Sequence, residues 1–104
     1  MAKYLLLFMG GSMPQTEDEQ AAVMKAWESW FTEVGPAVAD QGNPFTSDAK
    51  RIASDGTVSV AEASASGYTI LEADSLDQAT KLAGGCPVLQ GGANITIFET
   101  FEVM

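Results

Sequence analysis

The chain of 104 residues contains no histidine and only one cysteine, Cys86. Histidine is the usual proton-transfer group near neutral pH, and zinc sites are built mainly from cysteine and histidine. The shortage of both predicts no metal site and no cofactor. A lone cysteine forms no internal disulfide, which favours a reducing compartment. With no histidine to activate it, Cys86 is predicted to be a buried structural residue.

Basic residues are also scarce, with 5 Lys and Arg against 14 Asp and Glu, for a net charge of −9. Binding to nucleic acid or to an anionic membrane requires clustered positive charge. The apolar run Tyr4–Met9 is shorter than a signal-peptide core of roughly 7–15 residues or a membrane helix of roughly 20. The sequence therefore predicts a cytoplasmic protein with no nucleic-acid partner and no membrane partner.

Hydrophobic residues make up 46% of the chain and charged residues 18%, a composition typical of globular proteins. No linker or repeat divides the chain, so we predict a single domain over residues 1–104. Two S/T-x-x-E/Q capping boxes mark helix starts at Thr16 and Ser75, and Gly-Pro or Gly-Gly pairs end both helices. Apolar runs predict strands over Lys3–Met9, Ala49–Ala53, Gly67–Ala73 and Asn94–Val103, with a further helical turn over Ala37–Asp40 and a short additional strand over Thr57–Val60.

The element order is β-α-β-β-α-β, which predicts an α+β fold, the ferredoxin-like sandwich. Its first strand, Tyr4–Met9, is apolar on both faces. A sheet with helices on one side normally has polar residues on the other. Since no segment is left to cover the second face, we predict a homodimer in which two copies pack through that face about a two-fold axis.

Several short motifs form a recognisable pattern along the chain, and they are Trp27-Glu-Ser-Trp30, Gly67-Tyr-Thr-Ile70, Glu72-Ala-Asp-Ser-Leu-Asp-Gln-Ala79, Cys86-Pro87 and Gly91-Gly92. In these residues the chain resembles the YCII-related (DGPF-like) family. The resemblance implies a dimeric α/β barrel, in which two ferredoxin-like sheets close face to face. It also implies relatives with a His–Asp pair in a cleft and with lyase-like or dehydrochlorinase-like activity.

This sequence departs from that family pattern at the residues that carry its chemistry. It has no histidine, Cys86-Pro87 is followed by Val88, and Asp55-Gly56 is followed by Thr57 rather than by the Pro-Phe of the signature. The His–Asp pair therefore has no counterpart here. We predict a non-catalytic protein that binds a small molecule or has a structural role.

A cofactor-independent isomerase, lyase or oxygenase acting on a small aromatic or lactone-like compound is the alternative. Its base would have to be Asp, Glu, Lys, Tyr or Cys. Glu99 is the first candidate, because strand parity places it with Ile95, Ile97, Phe101 and Val103 on an apolar face, where a carboxylate retains a proton more readily. Aromatic residues at helical spacing are usually core, but a cleft between helices and sheet would be walled by Met13, Trp27 and Phe45, with Arg51 available to a ligand carboxylate.

Overall fold

The computed structural model describes residues 2–11, 14–61 and 65–103. Its strands are β1 (Ala2–Met9), β2 (Val38–Asp40), β3 (Lys50–Ile52), β4 (Val58–Val60), β5 (Ala65–Ala73) and β6 (Asn94–Glu99). Its helices are α1 (Glu17–Val34) and α2 (Leu76–Ala83), and short 3-10 turns cover Gly35–Ala37 and Pro87–Gly91.

Four strands form an antiparallel sheet in the order β2-β5-β1-β6, with β1 paired to both β5 and β6. The two strands nearest the chain ends are thus neighbours, and both helices pack on one side of the sheet. This arrangement confirms the predicted α+β, ferredoxin-like fold.

Local capping interactions begin both helices where the sequence predicts. The Thr16 hydroxyl accepts a hydrogen bond from the Glu19 amide at 3.1 Å, and the Ser75 hydroxyl accepts one from the Gln78 amide at 3.1 Å. In each case the side chain of the third helical residue also accepts a hydrogen bond from the backbone amide of the residue that precedes the N-cap. The Glu19 carboxylate accepts from the Gln15 amide at 2.8 Å, and the Gln78 side chain accepts from the Asp74 amide at 2.6 Å.

Two segments between α1 and β5 differ from the prediction. Ala37–Asp40 does not continue the helix: Gly35 ends α1 at φ 63°, and Val38 and Asp40 pair with β5 instead. The predicted strand Ala49–Ala53 is shorter in the structure, where it is β3. Among the described residues β3 pairs with β4 and lies outside the main sheet. The short strand predicted over Thr57–Val60 is confirmed as β4. The second strand of the main sheet is therefore β2.

The last strand ends earlier than predicted, at Glu99 rather than Val103. Beyond it, the Thr100 amide and hydroxyl both donate to the carbonyl oxygen of Lys3 at 2.9 Å. Phe101 and Val103 follow in irregular, exposed backbone. They do not share a strand face with Glu99.

The core lies between the helices and one face of the sheet. Alternate residues of β1 and β5 point into it, as expected for strands with one buried face. Thr69 is the buried polar side chain among them. The buried members of this core are Tyr4, Leu6, Phe8, Trp30, Val34, Leu71, Ala73, Ala79, Ala83 and Cys86.

Candidate functional site

The side of the sheet opposite the helices is apolar, and we call it the open face. Cross-strand register places Leu5 between Ile70 and Phe98 in its centre. Leu7 lies in the next row, between Tyr68 and Thr96. The residues that define the open face are Leu5, Leu7, Met9, Tyr68, Ile70, Thr96 and Phe98.

Nothing in the described residues packs a layer of structure over the open face. Leu5, Leu7 and Ile70 are only partly buried by their neighbours, and Phe98 is 49% exposed. A sheet that faces water normally carries alternating polar residues on that side. A contiguous apolar surface of this kind indicates an interaction or ligand-binding site.

One aromatic pair extends the open face at its β5 side. The ring of Phe45 stacks on Tyr68 with centroids 5.9 Å apart and an interplanar angle of 26°. The Phe45 amide donates to the carbonyl oxygen of Ser66 at 2.9 Å, which ties this segment to β5. Phe45 therefore presents a flat aromatic surface beside the sheet.

The backbone before Phe45 is held by a buried threonine and a required glycine. The Thr69 hydroxyl donates to the carbonyl oxygen of Gln41 at 3.0 Å. Gly42 has φ +73°, and a Cβ atom there would overlap the carbonyl oxygen of Tyr68. Since only glycine combines this conformation with such a close approach, the position of Phe45 depends on Gly42.

The open face ends in a pair of opposite charges. Lys3 and Glu72 are directly opposed on β1 and β5, in the row next to Leu5 and Ile70. Side chains directly opposite on antiparallel strands lie about 5 Å apart at Cβ. The apolar surface thus has a polar end where a ligand's hydrogen-bonding groups can be satisfied.

Glu99 lies on the other side of the sheet, where it accepts a hydrogen bond from Tyr4. The Tyr4 hydroxyl is 2.8 Å from Oε1 of Glu99, and the two residues are directly opposed on β1 and β6. This hydrogen bond, burial, and the charges of Glu99 and Asp74 raise the pKa of Tyr4 above its usual value. The tyrosine therefore stays protonated and acts as a donor to the carboxylate.

The other predicted site residues are not brought together. Trp27 packs on the helix side, with ring centroids 5.8 Å from Phe8 and 5.5 Å from Phe31. Phe45 is on the open side, and Arg51 is exposed on β3. Met13 lies outside the described residues.

Two surface clefts of the described chain involve neither the open face nor the Tyr4–Glu99 pair. One runs along the outside of α1, and because a single helix forms it, it has no opposite wall. The other, of about 130 Å³, lies between α1 and α2; ligand pockets are usually about 300–1,000 Å³. Their lining residues are Lys25, Glu28, Ser29, Thr32 and Glu33 for the first, and Trp30, Glu33, Val34, Lys81, Leu82 and Gly85 for the second.

Cys86 is a free, buried cysteine at the start of the 3-10 turn Pro87–Gly91, as the sequence predicts. Burial raises the pKa of its thiol to about 11. Within residues 2–11, 14–61 and 65–103, no group of three or more His, Cys, Asp or Glu residues is placed to hold a metal ion. No helix of those residues is long and apolar enough to cross a membrane.

We expect Cys86 to react slowly with 5,5′-dithiobis(2-nitrobenzoic acid) at pH 8 while the protein is folded. A thiol pKa of about 11 rather than 9.0 lowers the thiolate fraction about 100-fold at this pH, and only the thiolate reacts. The same protein in guanidinium chloride is the control and reacts at the ordinary rate. Equal rates in the two solutions would contradict a buried thiol.

Comparison with known proteins identifies a fold relative but no sequence relative. No family model matches the chain, and no curated protein matches its sequence. Its structure is similar to that of 5-chloro-2-hydroxyhydroquinone dehydrochlorinase (TftG) from Burkholderia phenoliruptrix AC1100, solved in complex with 2,5-dihydroxybenzoquinone. The TM-score is 0.53 at 14% sequence identity, and the match covers 93% of each chain. At this identity the likeness establishes a shared fold.

Proposed function

We propose that this protein is a non-catalytic homodimer that binds a small planar, largely apolar molecule between the open faces of its two subunits. The observation that carries the proposal is the open face itself. It presents aliphatic and aromatic side chains on all three of its long strands, and the described chain supplies no layer to cover them.

A second copy is the natural cover, because a two-fold axis through the sheet would place each open face against an identical one. Leu5 and Leu7 lie on the central strand β1, so they would form the middle of the interface. Two packed sheets are separated by about 10 Å, a space that the side chains of both open faces would share with a planar ligand.

The aromatic residues favour a planar ligand. Phe45, Tyr68 and Phe98 are all partly exposed, and their rings offer flat surfaces on which an aromatic or quinoid ring can stack. Lys3 and Glu72 supply a charged pair at one end of the face, suited to hydroxyl or carbonyl groups. The fold relative's ligand, 2,5-dihydroxybenzoquinone, has this combination of a planar ring and polar substituents.

Binding without catalysis is favoured by the residues available. The chain has no histidine, and the carboxylate expected to act as a base, Glu99, accepts a hydrogen bond from Tyr4 on the opposite side of the sheet. In the rows that contain Leu5 and Leu7 and in the row beside them, the titratable groups are Lys3, Glu72, Tyr68 and Asp40, the last directly opposite Ile70. The Asp40 carboxylate accepts a hydrogen bond from the Gly42 amide at 2.8 Å, and the Tyr68 ring stacks on Phe45. Both side chains thus hold neighbouring structure in place, which favours ligand binding over proton transfer.

Calorimetric titration tests the binding with 2,5-dihydroxybenzoquinone and hydroquinone as planar probes and cyclohexane-1,4-diol as the non-planar control. We expect saturable binding of a planar probe alone. Phe98→Leu, which keeps an apolar side chain but removes the ring, should weaken that binding about tenfold, in line with a stacking interaction of about 1–1.5 kcal/mol. Trp27→Phe, on the other side of the sheet, serves as the matched control and should leave the affinity unchanged.

Chromatography of the same mixtures after incubation tests for turnover, and we expect the probes to be recovered intact. Failure of both planar probes to bind the wild-type protein, or equal affinity in Phe98→Leu, would overturn the proposed ligand site. Consumption of a probe would overturn the proposal that the protein binds its ligand without catalysing a reaction.

The hydrogen bond between Tyr4 and Glu99 favours the second candidate, a cofactor-independent enzyme acting on a small aromatic or lactone-like compound. A tyrosine donor 2.8 Å from a carboxylate can shuttle a proton once a substrate reaches it. If a compound is turned over, Glu99→Gln should abolish turnover while leaving the folding transition intact, because glutamine still accepts the tyrosine hydrogen bond. Full activity in Glu99→Gln would remove this carboxylate from the reaction.

A further inference from the structure

The hairpin of β3 and β4 projects from the domain, and we call residues 50–60 the arm. Its register pairs Lys50 with Val60, Arg51 with Ser59 and Ile52 with Val58. Since side chains alternate between the two sides of a ribbon, Ile52, Val58 and Val60 share one side, with Lys50 at its end opposite Val60. Arg51 and Ser59 are on the other.

The apolar side of the arm is exposed to solvent. Ile52 is 72% exposed, Val58 is 57% exposed and Val60 is 83% exposed. An isolated two-stranded hairpin is at best marginally stable in water and usually needs a third strand or a packing partner. Three exposed β-branched residues on one side therefore indicate that something packs against the arm.

The shape of the subunit agrees with a projecting arm. Its radius of gyration is 15.2 Å, whereas a compact domain of this length has a radius of roughly 13 Å. The subunit measures 44 × 39 × 18 Å, so it is a broad slab two layers thick. Such a shape buries less of its own surface and leaves more for contacts between subunits.

We propose that the apolar side of the arm packs against a second copy of the chain and forms part of the dimer interface. The chain leaves the open face only five residues before the arm, at Phe45, which stacks on Tyr68 and is tied to β5 through the carbonyl oxygen of Ser66. The arm is thus continuous with the surface that meets the partner. This inference rests on the homodimer proposed above.

The area of the open face supports a contribution from the arm. The four strands have 8, 3, 9 and 6 residues, which at about 3.4 Å per residue and about 4.8 Å between strands cover on the order of 420 Å², so two open faces bury about 850 Å² in total. Stable dimers bury about 1,200–2,000 Å². One side of a two-stranded arm covers on the order of 150 Å². Two arms, each with the partner surface beneath it, bring the buried area to about 1,450 Å².

Neighbouring positions on β4 offer a matched test. Val58→Asp places a charge on the apolar side of the arm, directly opposite Ile52, and Ser59→Asp places the same charge on the other side, opposite Arg51. In a symmetric dimer each substitution occurs twice, and a buried unpaired charge is strongly unfavourable. We expect Val58→Asp to raise the dimer dissociation constant at least about 100-fold and Ser59→Asp to change it less than about threefold.

A photo-crosslinking amino acid at position 52 identifies what the arm contacts. A mixture of ¹⁵N-labelled and unlabelled protein is irradiated, and the crosslinked peptides are analysed by mass spectrometry. We expect peptide pairs of mixed isotope composition, which arise only from contact between two copies. Crosslinks confined to pairs of a single isotope composition would show that the arm packs on its own subunit and would overturn the inference.

The two proposals fail in different ways. A wild-type protein that stays monomeric at about 10 µM would overturn both the dimer and the arm contact. A wild-type dimer whose affinity is reduced equally, or not at all, by Val58→Asp and Ser59→Asp would overturn the arm contact and leave the open-face dimer standing. If Val58→Asp fails to fold, the crosslinking experiment alone tests the arm contact.

Discussion

Replacing Leu7 with lysine is expected to convert a dimer into a folded single chain of 10.9 kDa. Leu7 lies on the central strand between Tyr68 and Thr96, so a lysine there would face the partner's sheet. Two such ammonium groups in one interface would each lose hydration without a partner, at a cost of several kcal/mol per charge. We therefore expect the dimer dissociation constant to rise at least about 1,000-fold.

Sedimentation equilibrium at about 10 µM measures this change, and circular dichroism checks that the variant folds. Met24→Lys is the matched control, because Met24 is an exposed apolar residue on α1, away from the sheet. It should sediment at twice the mass of one chain, as the wild type should. A wild type that sediments as one chain, or a Leu7→Lys variant that remains dimeric, would contradict assembly through the open face.

Trp30→Ala is expected to lower the free energy of unfolding by about 3–5 kcal/mol, the usual cost of truncating a buried tryptophan. Trp30 is 3% exposed, and its ring centroid is 5.2 Å from that of Phe31. Its indole N–H donates to the carbonyl oxygen of Leu82 at 3.0 Å. The side chain thus joins α1 to α2, and its loss leaves a cavity and leaves the Leu82 carbonyl oxygen with only its backbone hydrogen bonds, such as that from the Gly85 amide at 3.4 Å.

Urea denaturation followed by the fluorescence of the remaining tryptophan, Trp27, measures the loss. Trp30→Phe is the informative companion, because it removes the indole N–H but keeps an aromatic ring, and it should cost about half as much as the alanine variant. Loss of less than about 1 kcal/mol in Trp30→Ala would contradict the role of Trp30 as the link between the helices.

Local sequence signals predicted the helices and the long strands well. The capping boxes at Thr16 and Ser75 act within four residues, so the residues that determine each helix start are adjacent in the sequence. β2 was misassigned because three residues after a Gly-Pro pair carry too little pattern, and its pairing with Leu71 and Ile70 depends on residues about thirty positions away. Residues 49–53 were predicted as a strand, but the sequence does not indicate that its partner is β4.

In the candidate site too, local patterns were predicted correctly and contacts between distant strands were not. Strand parity correctly grouped Glu99 with Ile95 and Ile97, but the hydrogen bond from Tyr4 depends on the register between β1 and β6. Trp27 and Phe45 were predicted as walls of one cleft, and the structure places them on opposite sides of the sheet. Trp27 and Phe45 are separated by the path that the chain takes between α1 and β5, which the sequence pattern does not indicate.

The position of β1 between β5 and β6 also has a consequence for how the protein is made. Its partners in the sheet are more than fifty and more than eighty residues away, and sheets closed by such distant pairings fold slowly. Until β6 has emerged from the ribosome, one edge of β1 remains unpaired beside its apolar side chains, and exposed edges of this kind promote aggregation. Until β6 is free to pair, β1 therefore gives the chain an aggregation-prone edge that a chaperone can cover.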